Sequence, residues 1–301
     1  MRASSQIMSK AGTVKAVQPT LFDGLHEKNE VLDLPVRRTR LVVLGSSSGG
    51  NCSVLMHGDG ANHRLTLIDC GLSPRRTRRV LGELGLDYDR IDDVLLTHLD
   101  QDHCHLGWAK KLPGHARFHV LHSHGPRARR SKIAWRKMSY FEAGIENSFE
   151  ISCGARVSAT LLAHDAFGVA AFRMDWRDGS SLGYATDLGR ATTGLVEALR
   201  GVDVLAVESN YCPAMQAESD RPAFLKERIT GGAGHLSNQE CAELVREIGP
   251  ARDVVLLHLS RQCNTPELAL REHEGRGYSV TVADADQATG FVHVAGAALG
   301  V

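Results

Sequence analysis

The chain predicts a mixed α/β fold, and two observations carry that reading. Short aliphatic and β-branched runs at 41–44, 65–68, 91–96 and 254–257 have the composition and length of buried strands. Capped helical segments lie between several of them. A third regularity concerns function: strand after strand ends in Asp, His or Glu, so residues from distant parts of the sequence can gather at sheet edges. With 301 residues, 43% of them hydrophobic, the chain can bury a sizeable core.

Residues 1–38 mix Gln, Lys, Gly, Pro and Asp without a sustained period and read as an N-terminal extension, with the folded domain covering 39–301. The strand at 41–44 runs into Gly45-Ser46-Ser47-Ser48-Gly49-Gly50-Asn51 and a second strand follows at 52–56. Such small residues permit close backbone approach and offer amides and hydroxyls to an anion. The loop lacks the Lys-Ser/Thr ending and the following helix of nucleotide-binding loops.

The strand at 65–68 ends at Asp69-Cys70-Gly71. Ser73 then caps a helix opened by Pro74, whose Arg75, Arg76, Arg78 and Arg79 form a mostly solvated face. The strand at 91–96 delivers Thr97-His98-Leu99-Asp100-Gln101-Asp102-His103. One isolated His or Asp would read as an exposed turn residue. Four within six residues after an apolar strand read as a metal centre able to serve two adjacent ions. Cys104 and His105 fall outside that ligand set.

The strand at 118–121 leads to His122 and His124, whose alternation places them on one strand face as polar lining or surface residues. Arg127, Arg129, Arg130, Lys132, Arg136 and Lys137 are interleaved with Trp135 and Tyr140. That pattern suits either a phosphate backbone with stacked bases or a surface helix docked by its aromatic side. A strand at 157–162 precedes Ala163-His164-Asp165, and a hairpin of 169–174 and 181–185, turned around Asp178-Gly179, ends at Asp187. The strand at 202–207 leads to Glu208. Gly234-His235-Leu236 stands before a capping box of Ser237 and Glu240, and the strand at 254–257 ends at His258. Pro266 opens a short helix over 267–273, and 278–283 returns as an edge strand with a helix-poor tail.

Lys plus Arg and Asp plus Glu each total 35, so bulk charge does not favour a polyanionic partner. Seven scattered cysteines do not form a disulfide framework. The N-terminus has no apolar leader core and no run reaches membrane-span length, which points to a cytoplasmic protein without a membrane partner.

Taken in order, the small-residue loop 45–51, Asp69-Cys70-Gly71, the motif 98–103, His164-Asp165, Thr186-Asp187-Leu188-Gly189, Glu208-Ser209-Asn210, Gly234-His235-Leu236-Ser237-Asn238 and His258-Leu259-Ser260 resemble the metallo-β-lactamase fold superfamily. The likeness covers about residues 40–285 and is nearest to the bacterial WalJ-type or YycJ-type exonucleases, relatives of the tRNA 3′-processing endonucleases. It implies an αββα sandwich of two mixed sheets with a two-metal site at one edge. In the His-x-His-x-Asp-His motif of that branch, His98, Asp102 and His103 match, while Asp100 stands where His is usual. The implied arrangement holds one divalent ion by His98, Asp100 and His164 and the other by Asp102, His103 and His258, with Asp187 bridging. Asp69 would order the central loop through hydrogen bonds. Zinc, manganese and iron all suit such donors; the Asp100 carboxylate adds a negative charge and a harder ligand, which favours manganese or iron and raises the pKa of a bridging water.

In a centre of this kind a metal-activated hydroxide attacks phosphorus or a carbonyl carbon. By resemblance to the tRNA-processing nucleases, His235 would give a proton to the leaving oxygen and Glu208 would orient it and keep it charged. The expectation is a metal-dependent hydrolase, a phosphodiesterase or nuclease acting on DNA or RNA. One alternative is a hydrolase of a small cyclic phosphodiester, lactone or thioester, which a narrow apolar pocket around Trp108, Trp135 and Tyr211 would favour over an open groove lined by arginines. Another is a metal-binding or interaction protein without catalysis. Redox chemistry stays open with iron, and so does a homo-oligomer.

Overall fold

The apolar runs of the sequence are strands covered on both faces, and period-two alternation divides each run between two cores. In β1 (Thr39–Gly45), Leu41 and Val43 enter one buried cluster while Val42 and Leu44 enter another. The computed structural model describes residues 39–58, 62–131, 133, 136–164 and 167–295. The extension read at 1–38 lies outside the described residues, as do Lys132, Trp135 and Asp165.

The first sheet continues with β2 (Cys52–His57), β3 (Arg64–Ile68), β4 (Ile91–Leu95), β5 (Arg117–Leu121) and β6 (Lys137–Phe141). The second contains β7 (Gly144–Glu150), β8 (Arg156–Leu162), β9 (Val169–Asp175), β10 (Ser181–Ala185), β11 (Val204–Glu208), β12 (Asp253–Leu257) and β13 (Ser279–Val282). The last strand, β14 (Val292–Val294), returns to pair with β1, giving the orders β14-β1-β2-β3-β4-β5-β6 and β13-β12-β11-β10-β9-β8-β7. Both sheets are mixed: β3 to β6 run parallel and so do β10 to β13, while the remaining neighbours are antiparallel.

The eight helices among the described residues are α1 (Pro74–Glu83), α2 (Trp108–Lys111), α3 (Gly125–Arg130), α4 (Thr193–Leu199), α5 (Pro213–Glu218), α6 (Ala223–Thr230), α7 (Asn238–Ile248) and α8 (Pro266–Arg271). Between the sheets, Leu55, Ile68 and Leu95 meet Phe172, Tyr184 and Val255. Outside the first sheet pack Val80 and Leu81 of α1 with Trp108 of α2; outside the second pack Leu195 of α4, Leu244 of α7 and Ala269 of α8. The result is a four-layer αββα sandwich. Each large aliphatic side chain fully buried in these layers contributes about 1.5–3 kcal/mol.

The helix signals act as read. Ser73 Oγ accepts the Arg76 amide at 3.3 Å, and Ser237 with Glu240 forms a complete capping box, closed at the far end by Gly249 in the left-handed conformation. Three of the four arginines of α1 are engaged: Arg78 lies 4.3 Å over the Tyr88 ring, Arg79 faces Glu83, and Arg76 donates to the Ala285 carbonyl. Two features differ from the sequence reading, and the helix-poor tail holds a strand that was not placed. His122 and His124 lie in a 3-10 turn rather than a strand, because Gly125-Pro126 opens α3 directly behind them. The basic stretch divides between α3 and β6 instead of making one helix. The strand in the tail, β14, is only three residues long.

The backbone is unusual at three strand ends. Asp69 after β3, Asp187 after β10 and His258 after β12 have φ of 58°, 55° and 57°, the only non-glycine residues with positive φ among those described. This left-handed conformation costs roughly 1–2 kcal/mol per residue outside glycine. Packing and hydrogen bonds around these ends maintain it.

His273, behind α8, provides a readout of the outer layer's stability. Its Nδ1 lies 2.9 Å from the Tyr278 hydroxyl, while Nε2 is buried without a partner. Burial, reinforced by Arg276, lowers its pKa from 6.5 to about 4. The unfolded chain therefore takes up a proton that the folded chain refuses, so this contribution is complete above pH 6.5 and is lost as pH falls towards 4. Urea unfolding at pH 7 and pH 5 is expected to show a smaller loss of stability for His273→Gln than for the unaltered protein.

Candidate metal centre

Hydrogen bonds from β3 shape the loop after β4. Asp69, fully buried, accepts the Thr97 amide at 2.8 Å and the Thr97 hydroxyl, and its other oxygen lies 2.7 Å from His103 Nδ1. The loop is closed on itself by the Asp100 carbonyl, which accepts the amides of His103 and Cys104. It is also pinned to the small-residue loop: the Asn51 amide donates to the Asp102 carbonyl at 2.7 Å, and the Gly71 amide donates to the Asn51 carbonyl. A Cβ on Gly71 would stand 1.6 Å from the Asp102 carbonyl oxygen, so only glycine permits this approach.

The small-residue loop has a structural task that the sequence did not reveal. Ser46, Ser47 and Asn51 are buried. Ser46 Oγ donates to Asn51 Oδ1 and accepts the His258 amide, both at 2.8 Å, and Asn51 Nδ2 lies 3.0 Å from His103 Nε2. Asn210 Nδ2 likewise donates to the His258 carbonyl at 2.7 Å. Neither asparagine stood out as a site residue, since the signal in each case is one polar side chain among small neighbours. Ser48 alone of the three serines lines the cavity above the site.

Every residue singled out for the site converges here. His98, Asp100 and His164 form one group and Asp102, His103 and His258 another, with the donor atoms of each group within 4.8 Å of one another. Asp187 lies between: its Oδ2 is 2.8 Å from His103 Nε2, and its Oδ1 is 3.5 Å from His258 Nδ1 and 4.0 Å from His164 Nε2. Asp187 also joins Glu208, His235 and His258 in a further group. His235 Nδ1 and His258 Nδ1 are 2.7 and 2.9 Å from Glu208 Oε1, while Glu208 Oε2 accepts the Leu188 amide at 2.7 Å.

These donors suit divalent cations. His258 Nε2 is buried with no hydrogen-bond partner, as is His164 Nδ1. The separations of His258 Nε2 and His103 Nε2 from Asp102 Oδ2, 3.9 and 3.6 Å, are too long for hydrogen bonds. They match the roughly 3–4 Å between two ligands that share an ion with bonds near 2 Å.

The electrostatics agree. Burial pushes the Asp187 carboxyl up, but the positive charges of His258 and His103 outweigh it and hold the group well below the usual carboxylate range. Burial also raises Glu208 and Asp102, and their histidine partners bring both below their ordinary values. Burial would lower His258, yet Asp187, Asp102 and Glu208 raise it to about 10. His103 is raised in the same way by Asp187 and Asp69. His98, buried beside His103, is held well below its ordinary value. Carboxylates thus demand positive charge at the points where imidazole nitrogens meet them, and a cation can supply it in place of protons.

Asp100 has its own counter-charge. Arg127 Nη2 of α3 donates to its Oδ1 at 2.7 Å, while Oδ2 lies 3.9 Å from His98 Nε2. A neutral imidazole at this position would bring no negative charge to pair with the guanidinium. A cavity of about 460 Å³ opens over most of the cluster, without reaching His103 or Glu208, and is lined further by Asn210, Arg221, Leu225, Arg228 and Ile229.

All seven cysteines are free. No helix among the described residues is long and apolar enough to cross a membrane.

Comparison with known proteins places this geometry in context. The chain is 26% identical over 233 residues to the exodeoxyribonuclease WalJ of Streptococcus pneumoniae, covering 75% of this chain and 84% of that one. It is 25% identical over 237 residues to the exodeoxyribonuclease YycJ of Bacillus anthracis, with the same coverage. The crystal structure of the metallo-β-lactamase fold protein YhfI from Bacillus subtilis superimposes with a TM-score of 0.61 at 14% identity, over 83% of this chain and 98% of that one. The family described as the beta-lactamase superfamily domain matches residues 64–259. With its donor clusters supporting a metal-dependent hydrolase, the chain belongs to the β-lactamase superfamily.

Proposed function

We propose that this protein is a metal-dependent phosphodiesterase that cleaves nucleic-acid strands. The observation that carries the reading is the pair of Glu208 and His235, 2.7 Å apart at the edge of the donor cluster, with the His235 ring on the cavity wall. His98, Asp100 and His164 would hold one cation, Asp102, His103 and His258 a second, and Asp187 would bridge them. Bound there, the ions would lower the pKa of a water and neutralise charge on the phosphoryl oxygens.

The remaining work falls to side chains. Glu208 is buried and fixed by the Leu188 amide, so it presents one oxygen to His235 in a set direction. Because Nδ1 is committed to Glu208, Nε2 is the His235 nitrogen free to serve the substrate. With the ring oriented by that carboxylate, an Nε2–H could give its proton to the departing alkoxide, the poorest leaving group in the reaction. A glutamate and histidine arranged in this way suit a phosphodiester better than a lactone or thioester. The resemblance to two proteins named as exodeoxyribonucleases points to DNA as the first substrate class to try.

Of the residues named for a small-substrate pocket, the two that are described do not line the cavity. Trp108 is fully buried, stacked on Tyr88 and donating to the Leu72 carbonyl, and Tyr211 is packed with Ile229 and Cys263. Arginines line the cavity instead.

Two outcomes test the reading. End-labelled DNA and RNA, offered to protein reconstituted separately with manganese, zinc or iron, should be cleaved, and Asp187→Ala should lose both cleavage and bound metal as measured by elemental analysis. No cleavage with any fully loaded metal would overturn the proposal. His235→Ala should keep its metal and lose about 10²–10⁴ in kcat on a natural phosphodiester. That loss should shrink on a 4-nitrophenyl ester, whose leaving group needs no proton; an equal loss on both substrates would remove His235 as the acid.

A further inference from the structure

Two arginines on the cavity wall have no carboxylate partner among the described residues, and they are held very differently. Arg221 is fixed by neutral oxygens alone: Nε donates to Gln262 Oε1 at 3.1 Å, Nη1 to Gln216 Oε1 at 3.0 Å and Nη2 to Ser260 Oγ at 3.1 Å. Gln216 and Ser260 are themselves buried. These bonds use three of the five guanidinium N–H groups and leave two unspent. A cation preorganised beside a cavity, with its charge unmatched, is a receptor for an anion.

Arg228 is exposed and lines the same cavity from α6, together with Leu225 and Ile229. Phe224, one helical turn before Arg228, flanks that face and is 72% exposed, an unusual position for a large aromatic side chain. Phosphate-binding charge and a stacking surface are therefore adjacent on one short helix beside the donor cluster.

Three arginines of the basic stretch at 127–137 are engaged elsewhere. Arg127 neutralises Asp100, Arg136 donates to the Leu112 and Pro113 carbonyls, and Arg129 lies 5.9 Å over the Tyr140 ring.

We propose that Arg221, Arg228 and Phe224 form the subsite for the nucleotide next to the scissile bond. The two guanidinium groups take its phosphate and Phe224 stacks on its base. The inference rests on the nuclease reading and narrows it: the substrate is a strand with a phosphate beyond the one cleaved and an unpaired base at that position.

The test compares bis(4-nitrophenyl) phosphate, which reaches only the donor cluster, with single-stranded oligonucleotides of increasing length, using metal-loaded protein across a salt series. Arg228→Gln should raise KM for oligonucleotides about tenfold more than for the small diester. It should also reduce the slope of log affinity against log salt by about 1. Phe224→Ala should weaken oligonucleotide binding about 5–100-fold without changing that slope. Arg221 braces buried neighbours and its variants can misfold, so Arg228 and Phe224 decide the matter. If the unaltered protein cleaves oligonucleotides while both variants keep its KM and salt slope, the subsite is overturned and the nuclease reading stands. If the unaltered protein hydrolyses the small diester but no oligonucleotide, the nuclease reading falls and the subsite with it.

Discussion

The site depends on one buried carboxylate. Asp69 sits at a strand end with left-handed backbone, and its two oxygens hold both ends of the loop from Thr97 to His103. A carboxylate without solvent is costly, and here the Thr97 amide and hydroxyl and the His103 ring offset the penalty. The same bond to His103 Nδ1 fixes the ring so that Nε2 faces Asp187. Gly71, two residues later, lets the loop press against the chain closely enough for Asn51 to clamp it. A hydrogen-bond device thus converts a flexible run of polar residues into a rigid set of donors, which metal binding and catalysis both require.

Charge balance sets the second constraint. Asp102, Asp187 and Glu208 would each be driven towards neutrality by burial, yet all are held ionised by imidazoles that their negative charge keeps protonated. Cations would replace those protons without changing the sign of the argument. Asp100 follows a different rule, because its counter-charge comes from Arg127 on α3 rather than from the cluster. The extra negative charge that distinguishes this position from the usual histidine is therefore partly cancelled, and the expected preference for harder ions is correspondingly weakened. What persists is the oxygen donor itself.

Most strands of the sandwich were legible because buried strands leave continuous apolar runs, and the ends of β3, β4, β10, β11 and β12 announced themselves by an acidic residue or histidine. The edges were not. In β7, Gly144–Glu150, most side chains are exposed or half-buried, and β14 is a three-residue strand, so neither leaves an apolar run to read. His122 and His124 alternated as a strand would, but Gly125-Pro126 forces a helical entry that alternation cannot register. Asp187 and His258 were read at strand ends and only their ligand roles came from the resemblance, while nothing local in the sequence marks the left-handed backbone that aims them. Ser46 and Asn51 were read as facing an anion because their partners, His258 and Asp102, lie far along the chain.

In the proposed reading, a chain with no net charge presents phosphate with locally unmatched cations. Bulk charge counts every arginine equally, whereas the structure sorts them by partner. Arg76, Arg78 and Arg79 of α1 are tied to carbonyl, aromatic or acidic groups, and Arg127 and Arg136 are held by Asp100 and by backbone carbonyls. Arg221 and Arg228 keep unmatched charge where the cavity opens. They also stand apart from the donor cluster in construction, since the donors ride on strand ends stabilised by the two sheets, while α5 and α6 pack around a small core of Tyr211, Ile229 and Cys263. If the proposed subsite holds, a donor cluster beside a separately packed α6 would allow substrate preference to change without disturbing the hydrogen bonds that hold the donors in place.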